Sequence, residues 1–439
     1  MKLARRPWLL VFFVALTARL PLWLNLAQHP EALLNPDSSS YIMPAKNLLS
    51  QGVYSTSENS PYLPDAERPP GYPLFLAAHF LILDNIIWPS ATQIVIDAGT
   101  AAMVSIAASC LNPHPAAWMV GLLYALDPVA CAHAPLLLSE VVFTFFLTLS
   151  LLLLLRAGEE PRDPTPIALS GLCLGGATLT RPISVYLWLP WSLALAWAWP
   201  HRFKRQACLF AATALLLPAF WCARNWTNWR SFSFNPVRVA DAMFWQAAAI
   251  QASIEGISMD DSRAKLANEF RQLYPKPSEN SVEESRLLHA FARKIVVTHP
   301  MQAIKLYPIS VLKMLLSPGL DLIAKAIWPN QSVPNKQSLV NKVMGLGTLA
   351  ILEQRPLLWI VGGWVCLLLG LNYGLAALGF WRLYMGRQRF VLAACLVPIV
   401  FLVMVSSGGW VYYRHRIPIL PLLEVLAAAS GIRALGLRR

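Results

Sequence analysis

Charge is scarce in this sequence. Asp, Glu, Lys and Arg make up 13% of its 439 residues, against about 25% in average soluble domains. With hydrophobic residues at 56% and a mean hydropathy of +0.48, a soluble globular protein, a disordered chain and a coiled coil are all excluded. Cysteine is sparse and unpatterned. The seven residues (Cys110, Cys131, Cys173, Cys208, Cys222, Cys366 and Cys395) lie in or beside apolar runs with no Cys-x-x-Cys pair, so they read as small core hydrophobes, not as zinc ligands or a disulfide framework. No repeat of fixed period is visible, and the Gly/Pro-interrupted helix pairs of an inverted-repeat transporter are not obvious. The little charge there is leans positive, to a net +13. In a soluble chain that excess suggests nucleic acid; in a membrane chain it marks the loops that stay in the cytoplasm.

What the chain has in abundance is long apolar runs. The first, from Trp8 to Ala27, follows Lys2, Arg5 and Arg6 and passes Arg19 without a small-residue cleavage site, the pattern of a retained transmembrane helix. Further runs at Ser90–Leu111, Ala116–His133, Leu136–Leu155, Pro166–Leu179, Ile183–Trp199, Ala207–Cys222, Leu357–Phe380, Phe390–Val405 and Ile417–Ile432 bring the expected total to about ten spans. Counted this way, Arg156, Arg162, Arg202, Lys204, Arg205, Arg382, Arg387, Arg389, Arg433, Arg438 and Arg439 share the side of the amino terminus, with only Glu159, Glu160 and Asp163 opposing them. That agrees with the positive-inside rule, provided that Tyr72–Trp88 is a juxtamembrane or re-entrant helix and not a span.

The expected fold class is therefore an all-α polytopic integral membrane protein. A transmembrane module occupies 1–223 and carries a first extracytoplasmic loop at 28–89; an extracytoplasmic helical segment follows at 224–356, and further transmembrane helices at 357–439. In the middle segment Leu266, Phe270 and Leu273, then Leu287, Leu288 and Phe291, recur at helical spacing. These are read as amphipathic helices of a solvated insert without catalytic residues.

Chemistry concentrates in the first loop. Asn35-Pro36-Asp37-Ser38-Ser39-Ser40-Tyr41 has the composition of a helix start, and Gly52 that of its end. Asp37 is open to two readings there, a helix cap or a reactive carboxylate, and Pro44 foretells a kink or a second short helix. Arg68, in Glu67-Arg68-Pro69-Pro70-Gly71-Tyr72-Pro73, is placed at headgroup depth beside a proline-stiffened turn. Its planar fork suits a lipid phosphate, and equally bulk headgroups or Glu67. Glu140 stands at the outer end of a span, facing a polar cavity or capping a helix. Arg414, His415 and Arg416 break the positive-inside trend on the outer side, as a bound anion would explain, and Arg181 and Arg224 fall on the same side.

Asp37, Tyr41, Ala45, Leu48, Gly52 and Tyr54, followed by Arg68-Pro69-Pro70-Gly71-Tyr72-Pro73, resemble the first periplasmic loop of the bacterial branch of protein O-mannosyltransferase-like enzymes. These are GT-C fold glycosyltransferases that use polyprenyl-phosphate sugars, and they include the aminoarabinose transferases of lipid A. The resemblance continues through Leu138-Ser139-Glu140, Thr180-Arg181-Pro182, Ala223-Arg224-Asn225 and Arg416-Ile417-Pro418. It is clear over about 1–230, returns in the final hundred residues, and is missing from about 240 to 340.

The resemblance implies an inverting glycosyltransferase in the bacterial inner membrane, its site facing the periplasm, that moves a hexose or pentose from a polyprenyl-phosphate donor to an envelope lipid, glycan or protein. Asp37 would be the catalytic carboxylate; Arg68, Arg414 and Arg416 would bind the donor phosphate; Tyr41, Tyr72, Glu140, Arg181 and Arg224 are further substrate-binding candidates. Ser38 stands where several eukaryotic members have Glu, and the first loop has no Asp-x-Asp pair, so neither a metal nor another cofactor is expected. Nucleic acid is not a partner on this reading. The alternative is a carrier or flippase of polyprenyl-linked sugars, disfavoured because Arg19, Asp97, Asp127 and Glu140 are nearly all the charge within the spans.

Overall fold

The long apolar runs fold as helices because a bilayer offers no partner for an open N–H or C=O, and a helix satisfies both within one segment. The computed structural model describes residues 6–112, 117–159, 162–198, 204–275, 281–330, 357–409 and 411–431. Lys2, Arg5, Glu160, Arg202, Arg433, Arg438 and Arg439 of the charge count, and the expected span ends at Ala116, Trp199 and Ile432, lie outside them.

Among the described residues seven helical stretches are long and apolar enough to cross a membrane. Six coincide with expected spans: α1 (Pro7–Ala27), α4 (Ile87–Leu111), α7 (Glu140–Glu159), α10 (Lys204–Trp229), α16 (Leu357–Met385) and α17 (Arg389–Ser406). The chain is an all-α integral membrane protein. Four expected spans are shorter. Residues 117–133 contain α5 (Gly121–Ala125) and α6 (Pro128–His133), divided at Asp127-Pro128, where the Asp127 carboxylate accepts the N–H of Ala130. The others are α8 (Thr165–Thr180), α9 (Trp188–Ala198) and α18 (Leu420–Ala428). The seventh stretch, Pro300–Ile327, falls in the segment expected to be extracytoplasmic. It comprises α14 (Pro300–Leu316) and α15 (Leu320–Ile327). Lys305, Lys313, Asp321 and Lys325, with a break at Pro318-Gly319, dilute its apolar signal in the sequence.

The first loop holds two short helices. α2 (Ser39–Gln51) runs without interruption through Pro44 and stops at Gly52, whose φ of 69° is the left-handed ending glycine allows; of the two outcomes expected at Pro44, a kink or a second short helix, the second helix does not form. α3 (Gly71–Phe80) has 10 residues, about half the length needed to cross, in keeping with a helix that does not span.

Helix α3 sits against the end of α8 at Gly71, where a Cβ would come within 2.7 Å of the Leu179 carbonyl. This close approach fixes the first loop to the membrane helices. Deep in the bundle, Arg19 of α1 meets Asp97 of α4 at 2.6 Å, both almost fully buried. Asp97 also accepts from the Tyr124 hydroxyl, and Arg19 donates to the Ala125 carbonyl. These intramembrane charges join α1, α4 and α5, their polar atoms consumed by one another.

Beyond α10, α11 (Pro236–Glu255), α12 (Met259–Leu273) and α13 (Ser281–Thr298) pack on one another through Ala247, Ala248, Leu266 and Ala292. Leu266 and Phe270 face inward as the spacing predicts, whereas Leu273 is exposed. Gly71→Ala should displace the α3–α8 contact and cost about 1–3 kcal/mol, as overpacking of a tight site does, read as a lower melting temperature in detergent.

Candidate active site

The loop that presents Arg68 is held from three sides. The Tyr54 hydroxyl donates to the Arg68 carbonyl at 2.9 Å, the Asp65 carboxylate accepts the N–H groups of Glu67 (2.8 Å) and Arg68 (3.3 Å), and Arg224 donates to the Asp65 carbonyl at 2.6 Å. Arg224 is itself clamped against the rings of Tyr54, Trp221 and Trp229. With its backbone so fixed, the Arg68 guanidinium lies 4.4 Å from the centre of the Tyr41 ring. It donates to Ser40 Oγ (2.8 Å), to the Tyr41 hydroxyl (3.0 Å) and to Asp37 Oδ1 (3.0 Å).

Asp37 does not cap α2. Ser38 occupies that position, and its hydroxyl donates to the Leu137 carbonyl. The Asp37 carboxylate instead spans two guanidiniums, Arg68 on one oxygen and Arg414 on the other at 2.8 Å. Burial opposes its ionisation, but Arg414 and Arg68 outweigh burial and hold the carboxyl at about 2, below its usual range. It is therefore ionised at neutral pH while 30% exposed.

Arg414 belongs to a second cluster as well. Glu140, at the start of α7 and 2% exposed, takes Arg181 at 2.5 Å and Arg414 at 3.7 Å on the same oxygen. The carboxylate is occupied by cations and not by a helix end. Two carboxylates and three arginines thus form one connected group, assembled from the first loop, α7, the end of α8 and the 3₁₀ segment Tyr413–Ile419. His415 adds no charge: burial first, then Arg414, push it down to about 3, so its ring is neutral.

The structure brings Asp37, Tyr41, Arg68, Glu140, Arg181 and Arg414 together, and leaves three candidates elsewhere. Arg416 is fully buried and donates to the carbonyls of Met314, Leu315 and Ser317 at the end of α14, where the helix dipole favours a cation. Arg224 braces the Arg68 loop, as described. Tyr72 lies behind Tyr41, its ring centre 5.0 Å away and its hydroxyl donated to Gln93.

The pairing of Arg68 with Glu67, one of the partners the sequence offered, forms; Arg238 and Asn235 were not singled out in the sequence. Glu67 faces both Arg68 (3.4 Å) and Arg238 (3.7 Å). Asn235 caps α11 by accepting the N–H of Arg238, and its amide donates to the Glu67 carbonyl at 2.9 Å. The Asn235-Pro236 pair is a helix-start signature that could have located α11. A cavity of about 1100 Å³ opens over Asp37 and Arg414, bounded by Asn35 and Pro36 on the first loop and by α11, α12 and α13 opposite. Among the described residues no three His, Cys, Asp or Glu side chains are arranged to hold a metal.

Fold and site together define an all-helical membrane protein that holds an ionised carboxylate between arginines beneath a cavity. Residues 67–226 match the family described as dolichyl-phosphate-mannose-protein mannosyltransferase, and over that stretch the chain resembles this family. The matched span includes Arg68, Glu140 and Arg181 but neither Asp37 nor Arg414. Two crystal structures of ArnT from Cupriavidus metallidurans are also similar. The one bound to undecaprenyl phosphate is 14% identical, with a TM-score of 0.42, over 98% of this chain and 77% of that one. The apo form is 12% identical, also with a TM-score of 0.42, over 97% and 78%. No curated protein sequence matches.

Glu140→Gln would leave Arg181 and Arg414 facing a neutral amide. Breaking a buried pair from one side costs about 3–5 kcal/mol, so the variant should melt well below the wild type in the same detergent.

Proposed function

We propose that the chain is a GT-C type inverting glycosyltransferase that takes a sugar from a polyprenyl-phosphate donor and transfers it to an envelope acceptor on the outer face of a bacterial inner membrane. The observation that carries this reading is the Asp37 carboxylate, ionised and held between Arg68 and Arg414 at the floor of a cavity. The similarity of residues 67–226 to the dolichyl-phosphate-mannose-protein mannosyltransferase family supports it.

The chemistry follows from the charges. The acceptor hydroxyl hydrogen-bonds to Asp37, which orients its oxygen toward the anomeric carbon of the sugar. The new C–O bond forms as the bond from that carbon to the phosphate oxygen breaks, with inversion; the bonding pair leaves on polyprenyl phosphate and the hydroxyl proton passes to Asp37. A phosphate leaving group needs its growing negative charge met more than it needs a proton, and Arg68 and Arg414 meet it. Neither the kind of acceptor nor a hexose or pentose donor is selected by these groups alone. A carrier of the same lipid would need a polar path across the membrane, and Arg19 and Asp97 are closed on each other.

Asp37→Asn should abolish transfer in the purified, folded protein, measured as release of polyprenyl phosphate and appearance of glycosylated product from a labelled donor. Undiminished turnover would remove Asp37 from the chemistry. Arg68→Ala should mainly raise the donor KM, by about tenfold or more for one lost charge-assisted contact. Because Asp37 is held at about 2, kcat/KM should show no acid limb from this group above about pH 4. A limb centred near neutrality and traced to Asp37 would contradict the assignment.

A further inference from the structure

The cavity over Asp37 has a wall that donor chemistry does not use, formed by α11, α12 and α13. Its volume of about 1100 Å³ is at or above the upper end of the roughly 300–1,000 Å³ usual for small-molecule sites, more than one transferred sugar fills. We propose that this wall is the acceptor subsite and that it takes a neutral saccharide, one hydroxyl of which reaches Asp37; the proposal rests on the glycosyl-transfer reading.

Charge balance selects the chemistry. The cavity lining carries Asp37, Asp241, Asp260, Glu284 and Asp321 against Arg238, Arg263, Arg271 and Arg414. A phosphorylated or polyanionic acceptor calls for an excess of cations, and an alkyl chain for an apolar lining. Near-balanced carboxylates and guanidiniums interleaved with aromatic rings provide neither. They offer what a polyhydroxylated ring requires: planar donors and acceptors for its hydroxyls and aromatic faces for its C–H surfaces.

The wall is also built to hold a shape. The guanidinium of Arg263 lies 3.5 Å from the centre of the Trp245 ring, which fixes both planes at the cavity edge, and its Nε is buried without a hydrogen-bond partner. Phe270 is packed edgewise on Phe291 at 5.7 Å. Asn235 and Arg238 tie α11 to Glu67, the residue beside Arg68, so the distance from this wall to Asp37 is set by direct contacts.

The test uses the full-length protein in detergent and a tritium-labelled pool of neutral oligosaccharides released from the envelope polysaccharide of the source cells. Saturable binding in equilibrium dialysis is expected. It should weaken about tenfold, or 1.4 kcal/mol, in Arg263→Ala, and be lost in Ala267→Trp, which fills the cavity from α12. In turnover with the same pool, Arg263→Ala should raise the acceptor KM and leave kcat within about twofold, the signature of lost uniform binding. Melting temperatures of both variants identify any that fail to fold. No saturable binding overturns the proposal, as does binding that Ala267→Trp leaves intact. Transfer to a Ser/Thr peptide or a phosphorylated glycolipid in preference to the oligosaccharides overturns it too. If polyprenyl phosphate is never released, even to water, the transfer reading fails; oligosaccharide binding then still decides whether the wall is a saccharide site.

Discussion

Much of the structure depends on one carboxylate shared by two arginines that are far apart in the chain. Arg68 is 31 residues from Asp37 and Arg414 is 377, so the site exists only when the first loop and the final helices have both docked. The supporting contacts serve that end. Tyr54, Asp65 and Arg224 fix the Arg68 backbone, Glu140 fixes Arg181 and approaches Arg414, and the glycine at the start of α3 lets the loop rest directly on α8. Charges at this depth are costly when unpaired, which gives the assembly its selectivity: a misplaced loop would strand several ions at once.

The buried cations divide by what they meet. Arg19 meets a carboxylate inside the bundle and Arg416 meets helix-end carbonyls; both hold helices together. Arg68 and Arg414 meet a carboxylate that stays partly open to a cavity. Residue type alone does not separate these roles, since all four are arginines. What separates them is whether their partner is accessible.

That distinction explains what could be read in the sequence. The helical, membrane-bound character followed from the apolar runs, and six of the long helices lie where those runs are. Asp37 and Arg68 stood out because helix-start residues and a proline-stiffened turn are local signals. Arg416 and Arg224 carried the same motif-level signal, yet their side chains turn to Met314–Ser317 and to Asp65, contacts that form only in three dimensions. The stretch at 300–327 was obscured because its lysines and the Pro-Gly break lower its mean hydropathy. The Asn235-Pro236 pair could have marked where α11 begins, but nothing local marks what the α11–α13 wall faces: amphipathic spacing reports that a helix has an inner face, and not what that face adjoins.

Arg68 and Arg414 each already have a partner in Asp37, and this double engagement sets an order of events. A phosphate that draws off either guanidinium leaves the carboxylate with less compensating charge, so its proton affinity rises as the phosphate arrives. Asp37 is a feeble base while both arginines attend it and a better one once a competitor has claimed them. If the donor binds as proposed, such a centre would be dormant when empty and roused by the donor's phosphate, favouring a sequence in which the phosphate-bearing molecule enters first and the hydroxyl follows.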